Sequence, residues 1–189
     1  LLALMPGSQL AKIDPTPSID GKRLLTIRYP ADQEEAVRRL VEQFVQRDLS
    51  ALKAVCYYGC NISRPAKVMQ FDDPENPQSM DRLMKWVGVQ VLDWPSKVDC
   101  CGAHFSLIKP GIVVDLCSRL FESALEAGAE AIVVGCPMCH ANLDTRQDEI
   151  AAKLGRPLNM PVLYFSQVLG FALGLSPDAL GFKKHIVDP

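Results

Sequence analysis

Seven cysteines, two of them adjacent, constrain this chain more than any other feature of its sequence. Five of them fall just after segments that are expected to be strands. These five are Cys60, the doublet Cys100-Cys101, and Cys136 and Cys139 of a C-x-x-C motif. An odd cysteine count in a 189-residue chain is not typical of a secreted disulfide scaffold, which is usually shorter and has an even count. We therefore expect reduced thiols that serve metal binding or redox chemistry.

Hydrophobic periodicity predicts strands that alternate with helices along most of the chain. Buried strands are predicted at 52–58, 89–92, 131–134 and 161–165. Helices are predicted at about 33–48, 80–87, 112–125, 137–153 and 166–175, and the proline-rich segment 61–77 is predicted to be a loop. This alternation favours an α/β fold, with βαβ units on a mainly parallel sheet in a Rossmann-like three-layer arrangement.

Composition and local sequence also predict how the chain is divided into regions and where in the cell it is located. Residues 1–30 are predicted to be an irregular arm or the remnant of a missing upstream part, and 31–189 the cysteine-rich domain. A net charge of −2 argues against nucleic-acid binding. The apolar stretch at 162–175 is too short and too interrupted for a transmembrane segment, and the first residues lack the positive charge of a signal peptide. We expect a cytoplasmic protein, which is compatible with a place in a membrane-associated complex.

The predicted fold gathers the cysteine groups in one place. Ligands of open parallel sheets bind outside the carboxyl ends of the strands, so these five thiols should share one edge. Their thiolates would repel one another unless a soft cation or a cluster neutralised them. Cys56 lies inside a predicted strand and Cys117 on the apolar stripe of a helix, and both positions are typical of core cysteines.

The C-x-x-C segment by itself permits two other interpretations. It follows a strand and opens a helix, as the dithiol of thioredoxin-like proteins does. It also precedes His140, which completes the motif of c-type haem attachment. Neither interpretation accounts for Cys60 or the doublet. Gly102, directly after the doublet, is the residue expected where backbone packs closely against a cluster.

Three residues near the cysteines in sequence are candidate catalytic residues. His104 follows Cys101 by three positions and could donate a proton. Arg64 and Lys67 follow Cys60 and could bind an anionic substrate or offset the charge of a cluster. His104 is equally consistent with a partly exposed loop histidine, and a solvated loop charge is the default interpretation of Arg64 and Lys67.

Several short stretches make the sequence resemble the cysteine-rich CCG domain, and specifically the C-terminal half of the B subunit of heterodisulfide reductase. The resemblance covers about residues 50–189. It rests on Tyr57-Tyr58-Gly59-Cys60, Cys100-Cys101-Gly102-Ala103, Cys136-Pro137-Met138-Cys139-His140, Pro161–Phe165 and Phe71-Asp72-Asp73-Pro74. It implies a noncubane [4Fe-4S] cluster whose ligands are Cys60, Cys100, Cys101, Cys136 and Cys139.

The same resemblance implies an oxidoreductase that reductively cleaves a small disulfide, in methanogens that of coenzyme M and coenzyme B. Electrons would come from a ferredoxin-like C subunit, fed by a flavin-bearing A subunit. The resembled protein carries two CCG motifs and this chain has one, so a second CCG domain or a homodimer mate is an expected partner. Two alternatives stay open: a zinc-stabilised CCG interaction domain without catalysis, and a C-x-x-C dithiol oxidoreductase.

Overall fold

The computed structural model shows two compact units, residues 1–43 and 44–189. The structure describes residues 14–16, 24–26, 33–69 and 71–189. In the first unit, strand β1 (Asp14–Thr16) pairs antiparallel with β2 (Leu24–Thr26). The interpretation of 1–30 as an irregular arm otherwise falls outside the described residues. Helix α1 (Glu34–Phe44) begins at the predicted place and ends four residues early.

The second unit is built on a four-stranded sheet in which every neighbouring pair is parallel, with the order β4-β3-β5-β6. The strands are β3 (Lys53–Tyr57), β4 (Gln90–Val91), β5 (Ala131–Val134) and β6 (Val162–Tyr164). All four lie within the segments that the sequence predicts, which confirms the α/β class. Because the strands are parallel, their carboxyl ends share one edge of the sheet.

Helices connect these strands and follow the last one. They are α2 (Cys60–Ser63), α3 (Ala66–Met69), α4 (Ser79–Trp86), α5 (Pro110–Glu126), α6 (Pro137–Thr145), α7 (Gln147–Leu154), α8 (Phe165–Ala172) and α9 (Pro177–Leu180). Several features differ from the sequence prediction. Helix α8 ends three residues early, and α9 lies where no helix is predicted. The proline-rich segment contains α2 and α3 rather than only loop, and the helix predicted over 137–153 is two helices.

The break between α6 and α7 lies at Arg146, whose backbone leaves the helical region (φ −111°, ψ 15°). Its guanidinium donates to the carbonyl of Ser106 at 3.1 Å and pairs with Glu149 at 3.1 Å. Local helical spacing cannot reveal this break, because the contact with Ser106 crosses forty residues of sequence.

Both faces of the sheet are covered, as a three-layer arrangement requires. On one face Val55 and Ile132 share a buried cluster with Leu120 and Phe121 of α5. The alternate position Val133 is also fully buried, although it points to the opposite face. Strands that are buried on both sides read as continuous apolar runs, which is why the β5 prediction is accurate to the residue.

A buried ion pair fixes the loops at the carboxyl edge. Lys97 and Asp81 are joined at 2.7 Å, and only 4% of each side chain is exposed. The hydroxyl of Tyr58 donates to Asp81 at 2.6 Å and accepts the backbone N–H of Met80. The carbonyl of Lys97 accepts the N–H groups of both Tyr58 and Gly59, at 2.9 and 3.1 Å. The pair therefore ties α4, the end of β3 and the loop after β4 together.

Substitution of Lys97 tests this tie. Lys97→Met should lower the free energy of unfolding by about 3–5 kcal/mol, because Asp81 is left as a buried, uncompensated charge. Lys183→Met is the matched control. It removes the ion pair between Lys183 and Asp178, whose side chains are 83% and 72% exposed. The free energy of unfolding should therefore fall by less than about 1 kcal/mol. Urea denaturation measures both, and equal losses would contradict the role given to Lys97.

Candidate metal centre

The turn after β3 brings Cys60 to the carboxyl edge of the sheet. Gly59 adopts φ 68° and ψ 176°, a backbone conformation that is essentially restricted to glycine. A Cβ atom on Gly59 would lie 2.8 Å from the Sγ of Cys139. The backbone here approaches the C-x-x-C segment so closely that there is no room for a side chain without displacing that thiol.

The doublet sits in the loop after β4, nine residues beyond the end of that strand. The hydroxyl of Tyr57 donates to the carbonyl of Asp99 at 2.7 Å and holds the start of the doublet beside β3. The N–H of Gly102 donates to the Sγ of Cys100 at 3.3 Å. Cys100 is exposed and Cys101 is buried, so the doublet presents one thiol to solvent and one to the interior.

The C-x-x-C motif lies where β5 leads into α6. Cys136 is the N-cap residue, Pro137 the first residue of the helix, and the N–H of His140 donates to the carbonyl of Cys136 at 3.0 Å. Cys139 is buried and Cys136 half-buried. The motif therefore contributes one deep thiol and one shallower thiol to the same edge.

Contacts between sulfur atoms link these three segments, although long stretches of sequence separate them. The Sγ atoms of Cys60 and Cys100 are 3.9 Å apart, and those of Cys101 and Cys139 are 3.5 Å apart. All seven cysteines of the chain are free thiols. The convergence that the sheet topology predicts is therefore present in the structure.

Electrostatics shift the pKa values of four of these cysteines, two downward and two upward. Hydrogen bonding to Cys139 lowers the pKa of Cys136 to about 5, and backbone N–H groups at the start of α6 contribute in the same direction. Hydrogen bonding to Cys139 also lowers the pKa of Cys101 to about 6, against the effect of burial. These same hydrogen bonds raise the pKa of Cys139, and burial raises that of Cys60. The lowered pKa values favour the thiolate at Cys101 and Cys136, and the thiolate is the form that binds metals.

Cys56 and Cys117 lie apart from this set. Both are fully buried. Burial raises the pKa of Cys117 to about 12 and that of Cys56 well above its ordinary value. The Sγ of Cys117 donates to the carbonyl of Cys101 at 3.5 Å, so this residue supports the doublet from beneath.

The three candidate catalytic residues lie on exposed segments that follow the cysteines. Arg64 follows α2 and pairs with Glu75 at 2.6 Å. Lys67 is an exposed residue of α3, and His104 is exposed in a short 3-10 turn at Ala103–Phe105. Among the described residues, neither Arg64 nor His104 forms a hydrogen bond or ion pair with a cysteine.

A second polar cluster, which the sequence did not predict, involves the residue after Cys139. Potential ligand atoms of His140, Asp144 and His185 all lie within 4.8 Å of one another. The carboxylate of Asp144 accepts the backbone N–H groups of Ile186 and Val187, at 2.8 and 3.1 Å. Asp144 thereby anchors the C-terminal segment to α6.

Gln167 determines which nitrogen of His185 carries the proton. Its Oε1 accepts the N–H of Tyr164, so its amide Nε2 donates to the carbonyl of Leu180 and faces the Nε2 of His185 at 2.8 Å. The neutral His185 ring therefore holds its proton on Nδ1, which is buried and has no hydrogen-bond partner within the described part of the chain. An N–H is a poor neighbour for a cation, so we assign no metal to this cluster.

Comparison with known proteins identifies the class of this domain. Residues 54–144 match the family of the cysteine-rich domain CCG. The chain belongs to this family, as the sequence predicts. The fold also resembles a solved structure of a hypothetical protein from Helicobacter pylori, with a TM-score of 0.59 and 11% identity over 81% of this chain and 28% of that one.

Individual proteins of this kind show more closely what the chain is similar to. The chain is 34% identical over 139 residues to the B subunit of the ferredoxin:CoB-CoM heterodisulfide reductase of Methanosarcina mazei, which is 72% of this chain and 46% of that protein. It is 31% identical over 144 residues to the 8-methylmenaquinol:fumarate reductase membrane anchor subunit of Wolinella succinogenes, which is 76% of this chain and 51% of that protein. The chain thus spans about half the length of these relatives. In the described residues, no helix combines the length and apolarity needed to cross a membrane.

Gly59 offers a direct test of the site. In Gly59→Ala the new methyl group should displace the Sγ of Cys139 and lower the metal bound per chain at least severalfold. Gly155→Ala is the control, because Gly155 also has a positive φ of 65° but has open space where its Cβ would lie. Backbone strain of about 1–3 kcal/mol should destabilise both variants, but only the first should lose metal. Metal analysis of the folded, anaerobically reconstituted proteins measures this. Equal metal content would contradict the close approach.

Proposed function

We propose that Cys60, Cys100, Cys101, Cys136 and Cys139 hold one noncubane [4Fe-4S] cluster. The observation that carries this proposal is the set of sulfur contacts, in which thiols from three distant segments meet at one edge. The proposed donors are all sulfur, and sulfur donors favour iron–sulfur clusters and zinc. The lowered pKa values of Cys101 and Cys136 favour metal binding at neutral pH.

The number of thiols favours a cluster over a single zinc ion. A structural zinc site is complete with four ligands, which would leave one thiol of the five unused. A multi-iron cluster is larger than one ion and can accept donors that are grouped in separate pairs. When bound, the cluster would supply electrons one at a time at the sheet edge.

The domain's proposed role is one half of the catalytic component of a heterodisulfide reductase-like complex. Similarity to two Methanosarcina proteins named as the B subunit of heterodisulfide reductase supports this assignment, at 34% identity in each case. The reaction would consume two electrons and two protons for each disulfide, break the S–S bond and release two thiols. The disulfide would approach from the side of Cys100, which is the most exposed thiol of the set.

Arg64, which is half-buried, and the exposed Lys67 and His104 are proposed to assist the substrate. Lys67 would attract an anionic disulfide to the edge, and His104 would supply a proton to a departing thiolate. Arg64 would bind an anionic group only after release from Glu75, with which it pairs at 2.6 Å. An anionic substrate would therefore compete with this carboxylate.

Exposed apolar residues after the cysteine groups support a partner at this edge. We call them the apolar rim: Val68, Phe71, Phe105, Leu107, Ile108 and Met138, of which Leu107 is 97% exposed. Apolar surface of this kind is typical of an interaction site. The proposed occupants are a second CCG domain or a homodimer mate. A ferredoxin-like C subunit and a flavin-bearing A subunit would complete a cytoplasmic or membrane-associated complex.

Iron content of cysteine variants tests the ligand set. Anaerobically purified protein should be brown and contain about four iron atoms per chain. Cys100→Ser and Cys101→Ser should each lose most of this iron, because a serine hydroxyl is a poor substitute for a thiolate. Cys117→Ser is the control and should retain the iron, since the Cys117 thiol donates to the carbonyl of Cys101 rather than to a ligand sulfur, and a serine hydroxyl can donate to the same carbonyl.

Other results would point to the alternatives. A colourless protein with one zinc ion would favour an interaction domain without catalysis. Activity that needs only Cys136 and Cys139, with Cys60 and the doublet dispensable, would favour a dithiol oxidoreductase.

Turnover tests the disulfide chemistry separately from cluster binding. The iron-loaded protein, as a homodimer or together with a second CCG domain, is supplied with reduced viologen and the mixed disulfide of coenzyme M and coenzyme B. It should release two thiols for every two electrons consumed. Iron-loaded Cys117→Ser should behave in the same way. A loaded protein that accepts electrons from viologen but releases no thiol would instead be an electron-transfer domain.

A further inference from the structure

Asn142 is a buried polar residue that the proposed ligand set does not use. It lies on α6, three residues after Cys139, and is 5% exposed. Its amide Nδ2 is 3.4 Å from the carbonyl oxygen of Cys101 and 3.8 Å from the Sγ of Cys101. A side-chain amide therefore faces a proposed cluster ligand from within the core.

The orientation of this amide is determined by its neighbours. The carbonyl of Cys101 can only accept a hydrogen bond, so the NH₂ group must point toward Cys101. The Oδ1 on the other side is 2.9 Å from the hydroxyl of Ser106, and it shares the single proton of that hydroxyl with the carbonyl of Ala103, also at 2.9 Å. The guanidinium of Arg146 in turn binds the carbonyl of Ser106 at 3.1 Å. Asn142 is thus held with its donor directed at the doublet.

We infer that Asn142 is a positioning residue that raises the reduction potential of the cluster through its N–H group beside the Sγ of Cys101. This inference rests on the proposed cluster. Reduction adds negative charge, part of which resides on the ligand sulfur atoms. An N–H dipole directed at such a sulfur stabilises the reduced form more than the oxidised form.

A purely structural role for Asn142 predicts something different. If the amide only satisfies the carbonyl of Cys101, its loss would destabilise the fold and leave the potential of the bound cluster unchanged. The reduction potential therefore separates the two roles, and stability alone does not.

The test uses two variants and a matched control. Asn142→Leu removes the donor at similar volume, and Asn142→Asp keeps the shape and places an oxygen where the NH₂ group was. Gln147→Leu removes another buried side-chain amide, which bridges the N–H and carbonyl of Met160 at 3.0 and 2.7 Å and has no recorded contact with a cysteine among the described residues. All three are compared with the unmodified protein by anaerobic redox titration followed by EPR.

The expected result is a cluster that is harder to reduce in both Asn142 variants at unchanged iron content. At the midpoint potential of the unmodified protein, the ratio of reduced to oxidised cluster should fall by about fivefold, the factor expected for the loss of one hydrogen bond. Gln147→Leu should leave the ratio unchanged.

Each other outcome overturns the inference, and the outcomes are distinguishable. Unaltered potentials in iron-loaded Asn142 variants, or an equal shift in Gln147→Leu, would overturn the role of Asn142 and leave the proposed cluster standing. Loss of iron from both Asn142 variants but not from Gln147→Leu would make Asn142 a residue needed to hold the cluster and not one that sets its potential. Absence of iron from the unmodified protein would overturn the proposed function itself, and this inference with it.

Discussion

The carbonyl oxygen of Lys97 accepts two backbone N–H groups, and the geometry of the thiol edge depends on this interaction. The donors, Tyr58 and Gly59, directly precede Cys60, while Lys97 lies three residues before the doublet. The two loops that carry these cysteines are therefore joined by main-chain hydrogen bonds. The side chain of Lys97 fixes the same loop through its buried ion pair with Asp81. A parallel sheet delivers its loops to one edge, but contacts of this kind set the spacing between them.

The fold could be predicted from the sequence where a single local signal dominates. Strand β5 is an uninterrupted apolar run, and Gly128 closes the apolar stripe of α5 before it, so both elements are found where they were predicted. Prediction failed at Arg146, where a contact with the distant Ser106 overrides helical spacing. The short helices α2 and α3 were missed because prolines in 61–77 indicate turns and do not reveal single helical turns between them.

In the candidate site, too, some features could be predicted from the sequence and others could not. Strand topology predicts that Cys60, the doublet and the C-x-x-C motif converge, and the structure brings them together. The spacing of Cys139 and Asn142 places both on one face of a helix, but it does not reveal the contact of the amide with Cys101, which lies 41 residues away in sequence. The position of the proton on the neutral His185 ring depends on Gln167 and Leu180, which contact one another only in the folded chain. Hydrogen bonds of this kind are set by tertiary structure and leave no local pattern.

The opposite exposure of the two doublet cysteines has a consequence for the durability of such a centre. Two adjacent residues thereby serve the surface and the interior at once. Oxygen and other oxidants reach Cys100 first, whereas Cys101 and Cys139 are shielded by the core. Oxidative damage in air would thus begin at Cys100 and reach the buried cysteines later. The lifetime of the proposed cluster would then depend on how well a partner surface covers Cys100.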